Sequence, residues 1–187
     1  MRILASTFLC AFRTRFDELC AAQAGAPPFW TNDTAWTKFM LRDDRSFLKV
    51  VSEDWAKSAR PSLQHAIECE WLKFDLMVIS PGQAASEPWW RSIPILTIEH
   101  ENGDGIHDEI WKLACWRSLL KVLITYHADD PTLQSKLEVA KQIIGAVEAE
   151  YGDDGSEWLF LSAPRSFSGP RAWVANTWSR GAWELLR

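Results

Sequence analysis

Apolar residues in the first third of the chain recur every three to four positions, which is the spacing of one face of an α-helix. This pattern predicts a helix over 3–22. Its apolar stripe consists of Phe8, Phe12, Phe16 and Leu19. Residues 34–58 show a similar period, which predicts further helix in one or two pieces, and Pro61 closes that region.

The period shortens to two after this helical region, which is typical of β-strands. Apolar side chains alternate from Ala66 to Ile79, so one strand is predicted there, with a bend near Trp71. Ile93–Glu101 is predicted to be a second strand. We expect the two strands to be antiparallel neighbours.

Helical and strand patterns alternate through the second half of the chain. A helix is predicted over 106–118, and the almost wholly apolar run 119–126 is predicted to be a buried parallel strand. Pro131 stands at the first turn of another predicted helix, a position that proline tolerates. Short closing strands are predicted over 158–161, 171–178 and 183–186.

This order of elements predicts an α/β (α+β) fold with a mixed β-sheet flanked by helices. A right-handed crossover is expected to join strand 93–101 to strand 119–126. The length of 187 residues fits one domain, so we predict a single domain over 1–187. Its mostly helical part, its α/β core and its C-terminal strands are predicted over 1–60, 66–163 and 164–187.

The overall charge narrows the choice of partner. A formal net charge of −5 argues against a surface coated in basic residues for tight, non-specific binding of nucleic acid. The net charge does not exclude a local basic groove that binds nucleic acid. No run approaches the roughly 20 apolar residues of a membrane-spanning helix, so no membrane partner is expected.

Cysteine and tryptophan each allow a structural interpretation. The four cysteines form no CxxC pair, and we interpret them as buried thiols in a reducing compartment, which predicts a cytoplasmic location. The 12 tryptophans are expected mainly in the core and its rim. The alternative is a surface on which bases or sugars stack, with Trp89 and Trp90 as the most exposed pair.

Three acidic residues stand in or beside apolar strands. Asp75 lies inside the apolar run Phe74–Ile79, where a charge needs a partner. Glu99 and Glu101 are two positions apart on the next strand and therefore point to one face. If the strands pair, Asp75 comes alongside them. Carboxylates that crowd together need protons or a cation between them, and oxygen ligands favour Mg²⁺, Mn²⁺ or Ca²⁺.

Simpler interpretations exist for several residues of this region. The two glutamates could mark a solvated strand end. Lys112, on the helix predicted over 106–118, could form a surface ion pair with Glu109. The backbone carbonyl of His100 is a further candidate metal ligand, whereas its side chain should point to the opposite face and be structural.

The arrangement of these segments resembles a known family. An Asp on one strand, a Glu-x-Lys motif on the next, a helix and then a buried strand resembles the PD-(D/E)XK nucleases of the restriction-endonuclease-like fold. The resemblance covers about residues 50–127. Its matching segments are Lys73–Val78, Leu96–Glu101, Ile110–Leu113 and Lys121–Ile124.

The motif departs from the family at two positions. No proline precedes Asp75, and Glu101 stands where the family has its lysine, as in some members of the superfamily. Lysine elsewhere can also serve in the family, and Lys112 on the following helix or Lys73 are the candidates here.

The resemblance implies a nuclease that uses Mg²⁺ or Mn²⁺ to hydrolyse phosphodiester bonds in nucleic acid, with DNA as the first substrate. Asp75, Glu99 and the His100 carbonyl would hold the metal, and Glu101 or Lys112 would orient or deprotonate the attacking water. A homodimer is one expected assembly state. The alternatives are a catalytically inactive nuclease-fold module for binding or assembly, and a Trp-rich ligand-binding domain without metal.

Overall fold

The protein is described by a computed structural model. The described residues are 3–22, 33–42, 45–61, 64–71, 73–80, 93–103, 105–165 and 172–186. The chain divides into two compact units, the first comprising 1–95 with 167–170 and the second comprising 96–166 with 171–187. The predicted single domain stays a prediction.

Helices with an aromatic interface make up most of the first unit. Helix α1 (Ile3–Ala22) packs on α3 (Phe47–Ala59). In the sequence between these two helices, α2 (Asp33–Thr37) continues into a π-helical turn, Lys38–Arg42. Phe12 meets Phe47 edge to face at a ring distance of 5.2 Å. The helices predicted over 3–22 and 34–58 are therefore confirmed, the second in two pieces.

The predicted strand 66–79 is wrong as a single strand, because the chain reverses within it. Strands β1 (Ala66–Trp71) and β2 (Phe74–Ser80) form an antiparallel hairpin in which Trp71 faces Phe74. The reversal places Lys73 at φ 67°, a left-handed conformation that residues with a Cβ adopt infrequently. No glycine, proline, asparagine or aspartate stands between positions 70 and 73, so the sequence carries no turn signal there.

The second unit is built on a mixed sheet. From Leu96 onward, β3 (Ile93–Glu101) pairs in parallel with β4 (Leu120–His127), which pairs in parallel with β5 (Glu157–Pro164). Strands β6 (Val174–Ser179) and β7 (Ala182–Leu185) continue the sheet in antiparallel order. Every residue of β4 is buried, which explains its almost continuous apolar sequence.

Two helices cover one face of this mixed sheet. Helix α4 (His107–Cys115) follows β3, and α5 (Asp130–Tyr151) follows β4. Asp129 caps α5 by accepting a hydrogen bond from the Thr132 N–H at 2.8 Å, with Pro131 in the first turn as predicted. The predicted α/β fold with a mixed sheet and flanking helices is confirmed, and so are the parallel strand and the closing strands.

Burial of cysteine differs from the prediction. All four cysteines are free thiols, but Cys10, Cys69 and Cys115 are exposed and Cys20 is half-buried. The apolar neighbours misled the interpretation, because on a helix such as α1 a residue two positions from Phe8 and Phe12 lies on the opposite face.

Tryptophan burial agrees in part with the core interpretation. Trp36, Trp55, Trp158 and Trp178 are buried, whereas Trp111 is 59% exposed and Trp116 is 37% exposed. Trp89 and Trp90 lie outside the described residues. Within the described ranges, no helix has both the length and the apolar character needed to cross a membrane.

Candidate functional site

The three predicted acidic residues are distributed over the two units. Asp75 lies on β2 in the first unit and is half-buried. Glu99 and Glu101 lie on β3 in the second unit, paired with Leu123 and Thr125 of β4. The structure thus places two of the three carboxylates on one strand face, and the approach of Asp75 to them stays a prediction.

Glu99 is a buried carboxylate with a lysine partner. Its residue is 2% exposed, and the Nζ atom of Lys112 lies 2.7 Å from its Oε1 atom. Lys112 stands on the second turn of α4, between the buried residues Ile110 and Leu113, with 30% of its side chain exposed. A buried charge needs such a partner, so the ion pair fixes α4 against the end of β3.

Glu101 is held by the turn that follows its own strand. The backbone N–H of Gly103 donates a hydrogen bond to its Oε1 atom. A Cβ atom on Gly103 would lie 2.7 Å from that same oxygen, so only glycine leaves the carboxylate in this position. The chain therefore sets Glu101 beside Glu99 on one face, with its carboxylate turned back toward the turn.

Lys136 of α5 anchors this turn from the other side. Its ammonium group is buried and donates to the Gly103 carbonyl at 3.1 Å, to the Tyr126 carbonyl at 2.9 Å and to the Thr125 hydroxyl at 3.0 Å. All three ammonium hydrogens have an acceptor, which makes the burial of this charge tolerable. Lys136 thereby fixes the residue that donates to Glu101.

His100 lies on the opposite face of β3, as predicted. The residue is 8% exposed, and its Nε2 atom lies 2.8 Å from the Tyr126 hydroxyl oxygen. The two rings meet edge to face at 5.6 Å. The side chain has this structural contact, whereas the role of its backbone carbonyl as a metal ligand stays a prediction.

The surroundings of Glu101 are acidic. A shallow depression at the start of α4 is lined by Glu101, His107, Asp108 and Glu109, among others. Negative charge is favourable there because the N-terminus of a helix carries partial positive charge. Within the part of the chain that the structure describes, no three or more His, Cys, Asp or Glu side chains come together as a metal site.

Two buried lysines of the second unit were missed from the sequence. Lys121 lies on β4 and is 1% exposed, and Lys136 is 5% exposed. Lys121 interrupts the apolar run 119–126, which is the same signal that pointed to Asp75. Lys136 stands one position before Leu137 within the apolar stripe of α5, where the helical period alone could have flagged it.

Comparison with known proteins gives no family. No protein-family model and no curated protein matches the sequence. Among solved structures, the crystal structure of the central domain of yeast acetyl-CoA carboxylase is similar, with 8% sequence identity and a TM-score of 0.45. The match covers 95% of this chain and 34% of that one, so the chain spans about a third of its length. A likeness at this level carries no functional information.

Proposed function

We propose that the protein is a divalent-metal-dependent nuclease that hydrolyses phosphodiester bonds in nucleic acid, with DNA as the first substrate to test. The observation that supports this most directly is the contact of 2.7 Å between Lys112 Nζ and Glu99 Oε1. The PD-(D/E)XK motif usually has a lysine two positions after its second acidic residue, and Glu101 occupies that position here. The ion pair brings a lysine to Glu99 from α4 instead.

The oxygen donors fit a hard cation. Glu99 and Glu101 share one strand face, and carboxylate oxygens are the ligands that Mg²⁺ and Mn²⁺ prefer. Asp75 and the His100 carbonyl stay the further oxygen ligands that the sequence predicts. When bound, the cation would supply positive charge that counters the negative charge developing on the phosphate.

The residues of the chain would divide the remaining work. Lys112 would balance the charge of Glu99 and present positive charge to a phosphate oxygen, since 30% of its side chain reaches solvent. Glu101 would take a proton from the attacking water while the oxygen of that water bonds to phosphorus. The phosphorus–oxygen ester bond then breaks, and the leaving oxygen takes a proton from solvent.

Cleavage of single-stranded DNA, double-stranded DNA and RNA in Mg²⁺ or Mn²⁺ tests this proposal. We expect cleavage that EDTA stops and that Glu99→Gln or Lys112→Met lowers at least a hundredfold. Lys141→Met is the matched control, because Lys141 also pairs with a glutamate but on the exposed face of α5. Equal cleavage in Lys112→Met and Lys141→Met would contradict the role of Lys112.

Gly103→Ala gives a second, milder test of the same site. The added methyl group must displace the Glu101 carboxylate, while the far end of that flexible side chain can move at little cost to folding. We expect cleavage to fall about tenfold or more with an unchanged unfolding midpoint. Unchanged cleavage would remove Glu101 from the proposed chemistry.

A second candidate is a catalytically inactive nuclease-fold module for binding or assembly. It is favoured by the fact that Lys112 already neutralises Glu99, so this carboxylate is stable in the fold without a metal. This candidate predicts no heat on titration with Mn²⁺ and no cleavage, with binding of nucleic acid or of a second copy retained. Sedimentation velocity measures the proposed homodimer directly.

A cytoplasmic location remains part of the proposal. The four free thiols are typical of a protein in a reducing compartment. Fluorescence microscopy of the tagged full chain measures the location.

A further inference from the structure

A cavity of about 260 Å³ lies between the C-terminal part of α4, the last two turns of α5 and the first residues of β4 and β5. All of these elements belong to the second unit. The cavity is smaller than the roughly 300–1,000 Å³ of sites for drug-sized ligands, so it suits a single ring system. Neither Glu99 nor Glu101 lines it, which separates it from the candidate cleavage site.

Two exposed aromatic side chains line this cavity. Trp111 is 59% exposed and Tyr151 is 78% exposed, and both also line the adjoining groove beside α5. Ile144 and Val147 add an apolar wall. Large aromatic surfaces left in water beside an apolar wall indicate a contact surface, and they favour flat ligands that can stack.

A buried ion pair also lines the cavity. Lys121 is 1% exposed, donates to Asp154 Oδ2 at 2.6 Å, and stands 4.9 Å from the centre of the Trp158 ring. Burial lowers the pKa of Lys121, and the hydrogen bond to Asp154 opposes that effect. The bond to Asp154 uses one of the three hydrogens that an ammonium group can donate. Among the described residues, Asp154 is the acceptor found for the Lys121 ammonium, and Lys121 also lines the cavity.

The charges that line the cavity are balanced. Arg117 and Lys121 are positive, and Glu148 and Asp154 are negative. This balance favours a neutral ligand over an anion or a cation. Glu148 accepts a hydrogen bond from Trp178 Nε1 at 2.9 Å through Oε1, which leaves Oε2 as the candidate acceptor. A donor from Lys121 and this acceptor suit a ring that carries both carbonyl oxygens and N–H groups at its edge.

We propose that this cavity binds a nucleobase, stacked against Trp111 and Tyr151 with its polar edge toward Lys121. Nucleobases are flat, neutral and of single- or double-ring size, and they carry carbonyl and N–H groups at one edge. The proposal goes beyond the cleavage reaction and does not depend on it. The base can belong to a free nucleoside or to a nucleotide within a single strand.

Saturation-transfer NMR in EDTA tests this site, with the four deoxynucleosides, a ten-nucleotide oligothymidylate and methyl glucoside as probes. We expect transfer to base protons, and about tenfold or greater weakening in Trp111→Ala and Tyr151→Ala. Trp116→Ala is the matched control, because Trp116 is also exposed but does not line the cavity. Circular dichroism and the unfolding midpoint establish that each variant folds.

The arms of the experiment separate the two sources of the base. Transfer from the free deoxynucleosides indicates a small-molecule site, and transfer from the oligonucleotide alone indicates a base held within a strand. Either result supports the proposal when it depends on Trp111. Transfer to no base protons, equal transfer in Trp111→Ala, or the same response with methyl glucoside would overturn it.

Different variants test the proposed cleavage and the proposed base binding, so one proposal can be wrong while the other holds. Glu99→Gln should leave transfer to base protons unchanged, because Glu99 does not line the cavity. Loss of cleavage with retained base binding would contradict nothing in this inference. Loss of base binding in Trp111→Ala with retained metal-dependent cleavage of a short substrate would support both proposals.

Discussion

Two buried ion pairs in the second unit have opposite exposure. At the end of β3 the side chain of Glu99 is 2% exposed and that of its partner Lys112 is 30% exposed. At the start of β4 the side chain of Lys121 is 2% exposed and that of its partner Asp154 is 18% exposed. One pair therefore holds a negative charge inside the fold and the other a positive charge. In each, the more exposed partner makes the buried charge tolerable.

This difference determines what each pair can serve. A buried carboxylate beside a reachable lysine suits a cation and a phosphate, whereas a buried ammonium beside a cavity suits a neutral group with acceptor oxygens. The two sites on one sheet are thus chemically distinct. Removing the exposed partner of each pair is the sharpest way to test the comparison.

Lys112→Met should have the largest effect on stability. The substitution removes the positive charge of Lys112 from beside the buried carboxylate of Glu99, at a cost of about 3 kcal/mol in the free energy of unfolding at pH 7. Urea unfolding followed by circular dichroism measures it. The double variant Glu99→Gln with Lys112→Met should recover most of the loss, and a double variant as unstable as the single one would contradict the ion pair.

Asp154→Asn should cost less, about 2 kcal/mol at pH 7. Lys121 keeps its position over the Trp158 ring and can shed its proton. Its pKa is already lowered by burial, and loss of Asp154 lowers it further. Since the unfolded state then binds more protons, the deficit should shrink as pH rises toward 10. A deficit that is constant from pH 7 to pH 10 would contradict this.

His127 offers a smaller, pH-dependent effect beside these pairs. The residue is 4% exposed, its Nδ1 atom lies 2.6 Å from the Ser162 hydroxyl oxygen, and burial lowers its pKa. The native state therefore binds fewer protons than the unfolded state, and stability should fall as pH drops below about 6.5. Unfolding free energies at pH 7.5 and 5.5 measure this, and His127→Gln should flatten the dependence.

Lys141→Met should have the smallest effect. Lys141 pairs with Glu138 at 3.4 Å on the exposed face of α5, where both side chains are about half exposed. Exposed pairs of this kind contribute about 0.5 kcal/mol or less. A larger loss in the free energy of unfolding would mean that this exposed ion pair stabilises the protein as much as the two buried pairs do.

Periodicity located most of the helices and strands of both units. The spacing of Phe8, Phe12 and Phe16 located α1, and the unbroken apolar run after Leu119 located β4. The hairpin at Lys73 was not predicted, because the alternation of apolar and polar residues continues through the reversal in the sequence. Such a reversal needs a composition signal, which residues 70–73 lack.

The candidate site was predictable only in part. Strand alternation is enough to put Glu99 and Glu101 on one face and His100 on the other. The pairing of Lys112 with Glu99 depends on how α4 returns over the sheet, and a local i, i+3 rule points instead to Glu109. Lys136 and Lys121 stand out in the sequence as charges within apolar stretches, but their contacts with Gly103 and Asp154 depend on how α5 and the segment before β5 pack.

Anomalous diffraction from a crystal soaked with Mn²⁺ shows whether the end of β3 binds a metal ion. We expect a manganese peak at the Glu99 carboxylate, and loss of that peak in Glu99→Gln. A peak elsewhere, or none at Glu99 at saturating Mn²⁺, would contradict a metal-dependent nuclease at this strand end.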